Sequence, residues 1–106
     1  MNIIFKYQYR DGANYKKHGE LIFSNKNCII IEEIKARIIN RLFSGEFFYN
    51  DQFNVPDLHF EKWSNEFDHL WHEFVDVEET NEVDAVEDIS TFLEIIEQKI
   101  AFQPQY

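Results

Sequence analysis

Three of the four histidines, His59, His69 and His72, lie close together, with Asp57, Glu61, Asp68 and Glu73 beside them. Imidazole and carboxylate are the donors that hold zinc and other borderline divalent ions, so a small metal-using enzyme would be built on these three histidines. The spacings supply only fragments of known sites. His69-x-x-His72 would share a face if this stretch were helical. Glu66-x-x-His69 has the spacing of the carboxylate-bridged di-iron helices, but such a site needs two copies of the motif and the chain has one. His72-Glu73 opens a zincin-like pattern, yet Asp76 stands where the second histidine belongs. No cysteine is near. The expectation is therefore histidines standing beside carboxylates, with no metal and no cofactor.

Other enzymatic chemistry has less to start from. The three glycines, at positions 12, 19 and 45, cannot form a phosphate-cradling loop. No nucleophile-elbow pattern places a serine on a sharp turn. Carboxylate pairs of the glycosidase kind could be drawn among twenty acids in many ways, and none is singled out. Cys28 has no base beside it and adjoins Ile29, Ile30 and Ile31, which predicts a buried, inert thiol. One cysteine makes no internal disulfide, so the fold does not require an oxidising compartment. These observations favour a protein that binds rather than catalyses.

Charge is more informative. From Met1 to Leu42 eight Lys or Arg face four acids, a net of +4, whereas from Phe43 onward only Lys62 and Lys99 oppose sixteen acids, a net of −14. Asp76, Glu78, Glu79, Glu82, Asp84, Glu87 and Asp88 are crowded into a stretch without any basic residue. Such clustering attracts basic partners and repels nucleic acid and anionic membrane. Carboxylates so placed can stand in for phosphates in the Lys/Arg groove of a nucleic-acid-handling protein. In size and charge, though in no residue motif, the chain resembles the small acidic inhibitors that phages make against restriction and CRISPR nucleases. That character implies an inhibitor or antagonist that mimics nucleic acid, with those seven carboxylates as its partner-binding residues. A toxin neutralised by an immunity protein would leave the same signature. The competing reading is an interaction domain whose acidity only keeps it soluble.

The elements that must position these residues follow from periodicity. Ile3, Phe5, Tyr7 and Tyr9 alternate with polar partners, which predicts a strand ending at the Asp11-Gly12 turn. A second strand over Glu20 to Phe23 pairs antiparallel with it, leaving Tyr15, Lys16, Lys17 and His18 at the hairpin end. Ile31, Ile34, Ile38 and Leu42 recur at helical spacing, starting between Cys28 and Ile31 and stopping at Gly45. Residues 57–74 fit either a helix or a strand. The favoured reading is loop or irregular helix to about His72, then a strand to about Thr80. Ile89, Phe92, Leu93, Ile96 and Ile100 predict a last helix with Asp88 as its N-cap.

The fold class expected is α+β: a small antiparallel sheet of about three to four strands with two or three helices on one face, forming one domain over 1–106. Eighteen aromatics, 17% of the chain, exceed what a core of this size needs. Tyr15, Phe47, Phe48, Tyr49 and Phe53 are expected as exposed anchors, which would also permit a homodimer. No signal peptide or membrane-length apolar run is visible, so the cytoplasm is the expected compartment.

Overall fold

The architecture grows from one strand. In the computed structural model, which describes residues 1–59 and 69–104, β1 (Asn2–Arg10) is paired along both edges. On one side lies β2 (Lys16–Ser24), and on the other β4 (His72–Thr80). Between them in sequence come α1 (Ile31–Ile39), β3 (Phe47–Phe48) and α2 (Asn50–Phe53). The short β5 (Glu87–Asp88) leads directly into α3 (Ile89–Lys99). The sheet order is β3-β4-β1-β2-β5.

The α+β class is as expected, but the sheet has five strands and is mixed. The correction lies at its edges. After β4 the chain crosses the end of β1 and comes down beside β2, so β5 runs parallel to β2, with Phe23 opposite Glu87 and Ser24 opposite Asp88. At the other edge the two residues of β3 pair with His72 and Glu73. Neither two-residue strand is long enough to show a period-two pattern.

Alternation along β1 separates the two faces. Ile3, Phe5, Tyr7 and Tyr9 are buried in one cluster with Phe23, Val77, Phe48 and the apolar sides of the helices. Lys6, Gln8 and Arg10 lie on the opposite face beyond the buried Ile4, and their polar groups bond to β4. Lys6 Nζ reaches Glu78 at 2.9 Å, Gln8 donates to Glu73 at 2.8 Å, and Arg10 grips Glu73 through two nitrogens at 2.9 and 3.2 Å. α1 buries Ile34 and Ile38, and α3 buries Ile89, Phe92, Leu93 and Ile96. Glu33 and Arg37, one turn apart on α1, pair at 3.6 Å, but Arg37 also bonds Glu97 of α3, which ties the two helices together. α1 ends at Ile39, earlier than its apolar stripe. Leu42 stays buried in the turns that follow, and Ser44 and Gly45 take the left-handed conformation there. Among the described residues, no helix is long and apolar enough to cross a membrane.

Two expectations about burial fail. Phe48 and Phe53 are core residues, stacked on each other with ring centroids 4.2 Å apart, and only Tyr15 and Tyr49 of the five expected anchors are exposed. Pairing of β3 with β4 draws Phe48 inward. Cys28 is exposed, because it closes a turn back to the Asn25 carbonyl with φ 52°, and Ile29 and Ile31 begin the packing instead, with Ile30 exposed.

One close approach fixes the segment that precedes the described histidines. Gly19 stands opposite Tyr7, and a Cβ there would lie 2.8 and 2.9 Å from Tyr7 ring atoms and 3.0 Å from Leu58. The bare glycine lets the ring lie flat against β2. The Tyr7 hydroxyl then donates to the Pro56 carbonyl at 2.7 Å, holding the 56–58 backbone over the sheet. With its hydroxyl pinned, the ring has little room to yield. Gly19→Ala is expected to lower stability by about 1–3 kcal/mol through overpacking. A urea unfolding midpoint equal to or above that of the parent would contradict this.

Candidate functional site

His72 enters the core through a register shift. Phe5 pairs with Val77 and Lys6 with Asp76, but Tyr7 pairs with Phe74, so Val75 is the extra residue of a β-bulge. Without it, residues 72 and 74 would share the parity of Asp76 and face away from the cluster. With it, Phe74 packs against the core and His72 is fully buried. His72 lies among Phe48, Tyr7 and Tyr9, with ring centroids 5.9, 6.0 and 5.3 Å away. Burial is the main cause that lowers its pKa to about 4, assisted by the nearby His59, so the imidazole is neutral at ordinary pH. Its Nε2 accepts the Leu58 N–H at 3.0 Å, which assigns the proton to Nδ1.

Asp57 and His59 approach His72 from the segment anchored by Tyr7. The His59 backbone N–H and ring both turn to the Asp57 carboxylate, which places the two side chains together. Asp57 Oδ1 is 2.5 Å from His59 Nδ1 and 3.5 Å from His72 Nε2, and it also accepts the His59 backbone N–H at 2.8 Å. Burial works to raise the Asp57 carboxyl, but hydrogen bonds from the His59 backbone and ring outweigh it and hold the group below its usual value. Tyr9 is the hub, with its ring centroid 4.3 Å from His59, 5.2 Å from His69 and 5.3 Å from His72. A cleft of about 360 Å³, lined by Tyr49, Asn50, Asp51, Asp57, His59 and Leu70, opens beside the pair.

The three histidines considered together are thus divided. His59 and His72 converge, and the third donor is Asp57. The ring of His69 stacks on Trp71 at 4.2 Å, nearly parallel, and its Nδ1 lies 2.9 Å from the Trp71 carbonyl. A shared helical face for His69 and His72 is excluded because His72 begins β4 and His69 lies in no helix, although both rings pack on Tyr9. Glu61, Glu66 and Asp68 lie outside the described residues. Asp57 could have been chosen over His69 on its Asp-x-His spacing behind Pro56, which needs only an extended segment.

The seven acids separate by environment. Asp76 pairs with Lys35 of α1 at 3.0 Å and Glu78 with Lys6 of β1. Asp88 is occupied by the fold: it caps α3 by accepting the Ser90 N–H, and it also accepts from the Ser24 hydroxyl and the Lys26 backbone N–H. The other four, Glu79, Glu82, Asp84 and Glu87, have no ion-pair partner among the described residues. They follow the path of the chain across one end of the sheet. Glu79 lies opposite Ile3, the Glu82 carbonyl accepts from Asn2, and Glu87 lies opposite Phe23. Neighbouring strands are about 4.8 Å apart, so the row from β4 to β5 spans roughly 15 Å. Val83 and Val86 on this connection are 81% and 62% exposed. Arg10, Lys16 and Lys17 lie at the opposite end of the β1–β2 hairpin.

Comparison of the chain with protein-family models, curated proteins and solved structures finds no match. The site is therefore read from its own geometry.

Asp88 distinguishes a structural carboxylate from a binding one. Burial pushes its carboxyl up, but bonds from Ser90, Lys26 and Ser24 prevail and lower it to about 2. A depressed pKa contributes stability above the unfolded value and loses it as pH falls. Asp88→Ala is expected to cost about 1–2 kcal/mol at neutral pH, as N-cap removal does. The deficit relative to the parent should shrink as pH falls from about 4 towards about 2. Unfolding curves across that range test it, and a deficit constant down to pH 2 would refute the capping account.

Proposed function

We propose that the protein is a non-enzymatic acidic binding protein, an inhibitor or antagonist of a basic, nucleic-acid-handling partner, whose contact surface is the end of the sheet formed by residues 79–87. The observation that carries this reading is the row of four carboxylates with no counter-ion among the described residues, Glu79, Glu82, Asp84 and Glu87, interrupted by two exposed valines. A solubility device has no need of apolar side chains set between its charges. A docking surface does, because carboxylates steer and register a Lys/Arg groove while desolvated apolar contacts slow dissociation. The segregation of charge supports the same reading. The basic hairpin end is nine β1 residues away, about 30 Å, so it does not cancel the acidic field at the other end.

Within this reading the seven acids contribute unequally. Glu79, Glu82, Asp84 and Glu87 face the partner. Asp76 and Glu78 are neutralised at home by Lys35 and Lys6, and Asp88 serves the helix.

The immobilised chain should capture a basic protein from lysate at low salt and release it near 0.5 M salt, where the Debye length falls to roughly 4 Å. The triple variant Glu79→Lys, Glu82→Lys, Asp84→Lys should weaken binding of that protein at least about tenfold, mostly through the association rate, whereas Asp76→Asn should leave it near the parent value. Added chain should also displace DNA or RNA from the captured protein. Capture that is insensitive to salt, or survives the triple variant, would sink the proposal.

A further inference from the structure

We infer that Asp57, His59 and His72 form a binding site for one borderline divalent transition-metal ion of the zinc class. The site shares no residue with the acidic end of the sheet, so it stands or falls separately from the proposed partner binding. One ligand atom from each of the three residues lies within 4.8 Å of the other two. In a tetrahedral zinc site, with bonds of about 2.0–2.2 Å, donor atoms sit about 3.3–3.5 Å apart. Asp57 Oδ1 and His72 Nε2 already stand at 3.5 Å. The His59 Nδ1–Asp57 Oδ1 distance of 2.5 Å is that of a hydrogen bond, and an ion replacing its proton would open that pair by just under 1 Å. Asp57 and His59 lie in a segment without regular secondary structure, so this adjustment does not disturb the sheet.

The donors are in the form that coordination requires. His72 Nε2 carries a lone pair, shown by the Leu58 N–H that it accepts, and the ring is fixed among Phe48, Tyr7 and Tyr9. Coordination would exchange that one neutral hydrogen bond for a metal bond. Two imidazoles and one carboxylate select zinc or its first-row neighbours over calcium and magnesium, which take oxygen donors. Asp57 and His59 also line the 360 Å³ cleft with Asp51, Asn50 and Tyr49, so a remaining coordination position would be open to water or a small ligand from that side.

The test uses the full chain, stripped with chelator and titrated with zinc sulfate by calorimetry and with cobalt chloride by visible absorption. One equivalent of zinc should bind, zinc should displace cobalt, and bound cobalt should show the intense d–d bands of a four-coordinate site. Asp57→Asn and His59→Gln should each raise the zinc dissociation constant at least about tenfold. Asp84→Asn, which removes a carboxylate from the acidic end, should leave it unchanged. Far-UV circular dichroism establishes that each variant is folded, and His72 is left intact because it is buried. Absence of stoichiometric zinc uptake by the parent chain overturns the inference without reference to any variant. So does a loss of affinity in Asp84→Asn equal to that in Asp57→Asn, which would mark diffuse binding to surface acids.

Discussion

The register of β4 against β1 is the constraint on which the rest of the molecule depends. β1 is held on both edges, and its odd-numbered row of Ile3, Phe5, Tyr7 and Tyr9 supplies the floor of the core. A slip of one residue would put that row in water and bury Lys6, Gln8 and Arg10. The bulge at Val75 lets β4 satisfy two demands that a regular strand cannot combine. Val77 faces the core at one end, while Phe74 and His72, out of phase with it, face the core at the other. The extra residue, Val75, is left 47% exposed. In this way one backbone irregularity delivers a polar ring into an aromatic cluster and brings it against the segment held down by Tyr7.

The same strand organises charge. The cations of the sheet's polar face lie beside carboxylates of β4: Lys6 on Glu78, and Arg10 on Glu73. The solvent-accessible Lys6–Glu78 pair contributes little stability by itself, and the Arg10–Glu73 pair is partly buried. Their larger effect is on distribution, because they neutralise the polar face of the sheet and leave unpaired acids at the end opposite the basic hairpin. The net charge of −10 is therefore not spread evenly. Beyond Thr80 the chain passes from β4 to β5 with no cation of its own, and Lys26, held by its backbone to Asp88, is the basic residue drawn near that end.

Long elements with regular periods were legible in the sequence, and features set by long-range geometry were not. β1, β4 and α3 with its Asp88 cap can be read from the sequence, since each extends over several residues, although the bulge within β4 cannot. β3 and β5 have two residues each and exist only because a partner strand runs beside them. Phe48 and Phe53 read as surface aromatics for a similar reason: Phe48 is buried where β3 docks against β4, and Phe53 where α2 packs on Phe48 and on Phe92 of α3. Cys28 sits in a positive-φ turn that no composition rule announces for cysteine. At the candidate sites, counting identified the right neighbourhoods but not the members. The acids that remain unpaired could be told from Asp76, Glu78 and Asp88 only once Lys35, Lys6 and Ser90 were seen beside them. The i, i+3 spacing that pairs His69 with His72 has meaning only in a helix, and β4 begins at His72.

His72 remains the local choice least consistent with the packing around it. Its neighbours Phe48, Tyr7 and Tyr9 would accommodate an apolar ring, and a neutral imidazole there gains a single bond from Leu58 N–H while losing the hydration it has in the unfolded chain. Positions where a sequence departs from what its core favours are where function is most often found. The departure does not arise from the protein's overall charge. The histidines gather around Tyr9, and the unpaired acids gather around Asn2 and Ile3. Six to seven strand residues separate the two, roughly 20 Å or more, which exceeds two Debye lengths at physiological salt. The acidic end and the Asp57–His59–His72 group are thus electrostatically separate features of one sheet, and the chemistry of the second must be explained by what lies within reach of its own donors.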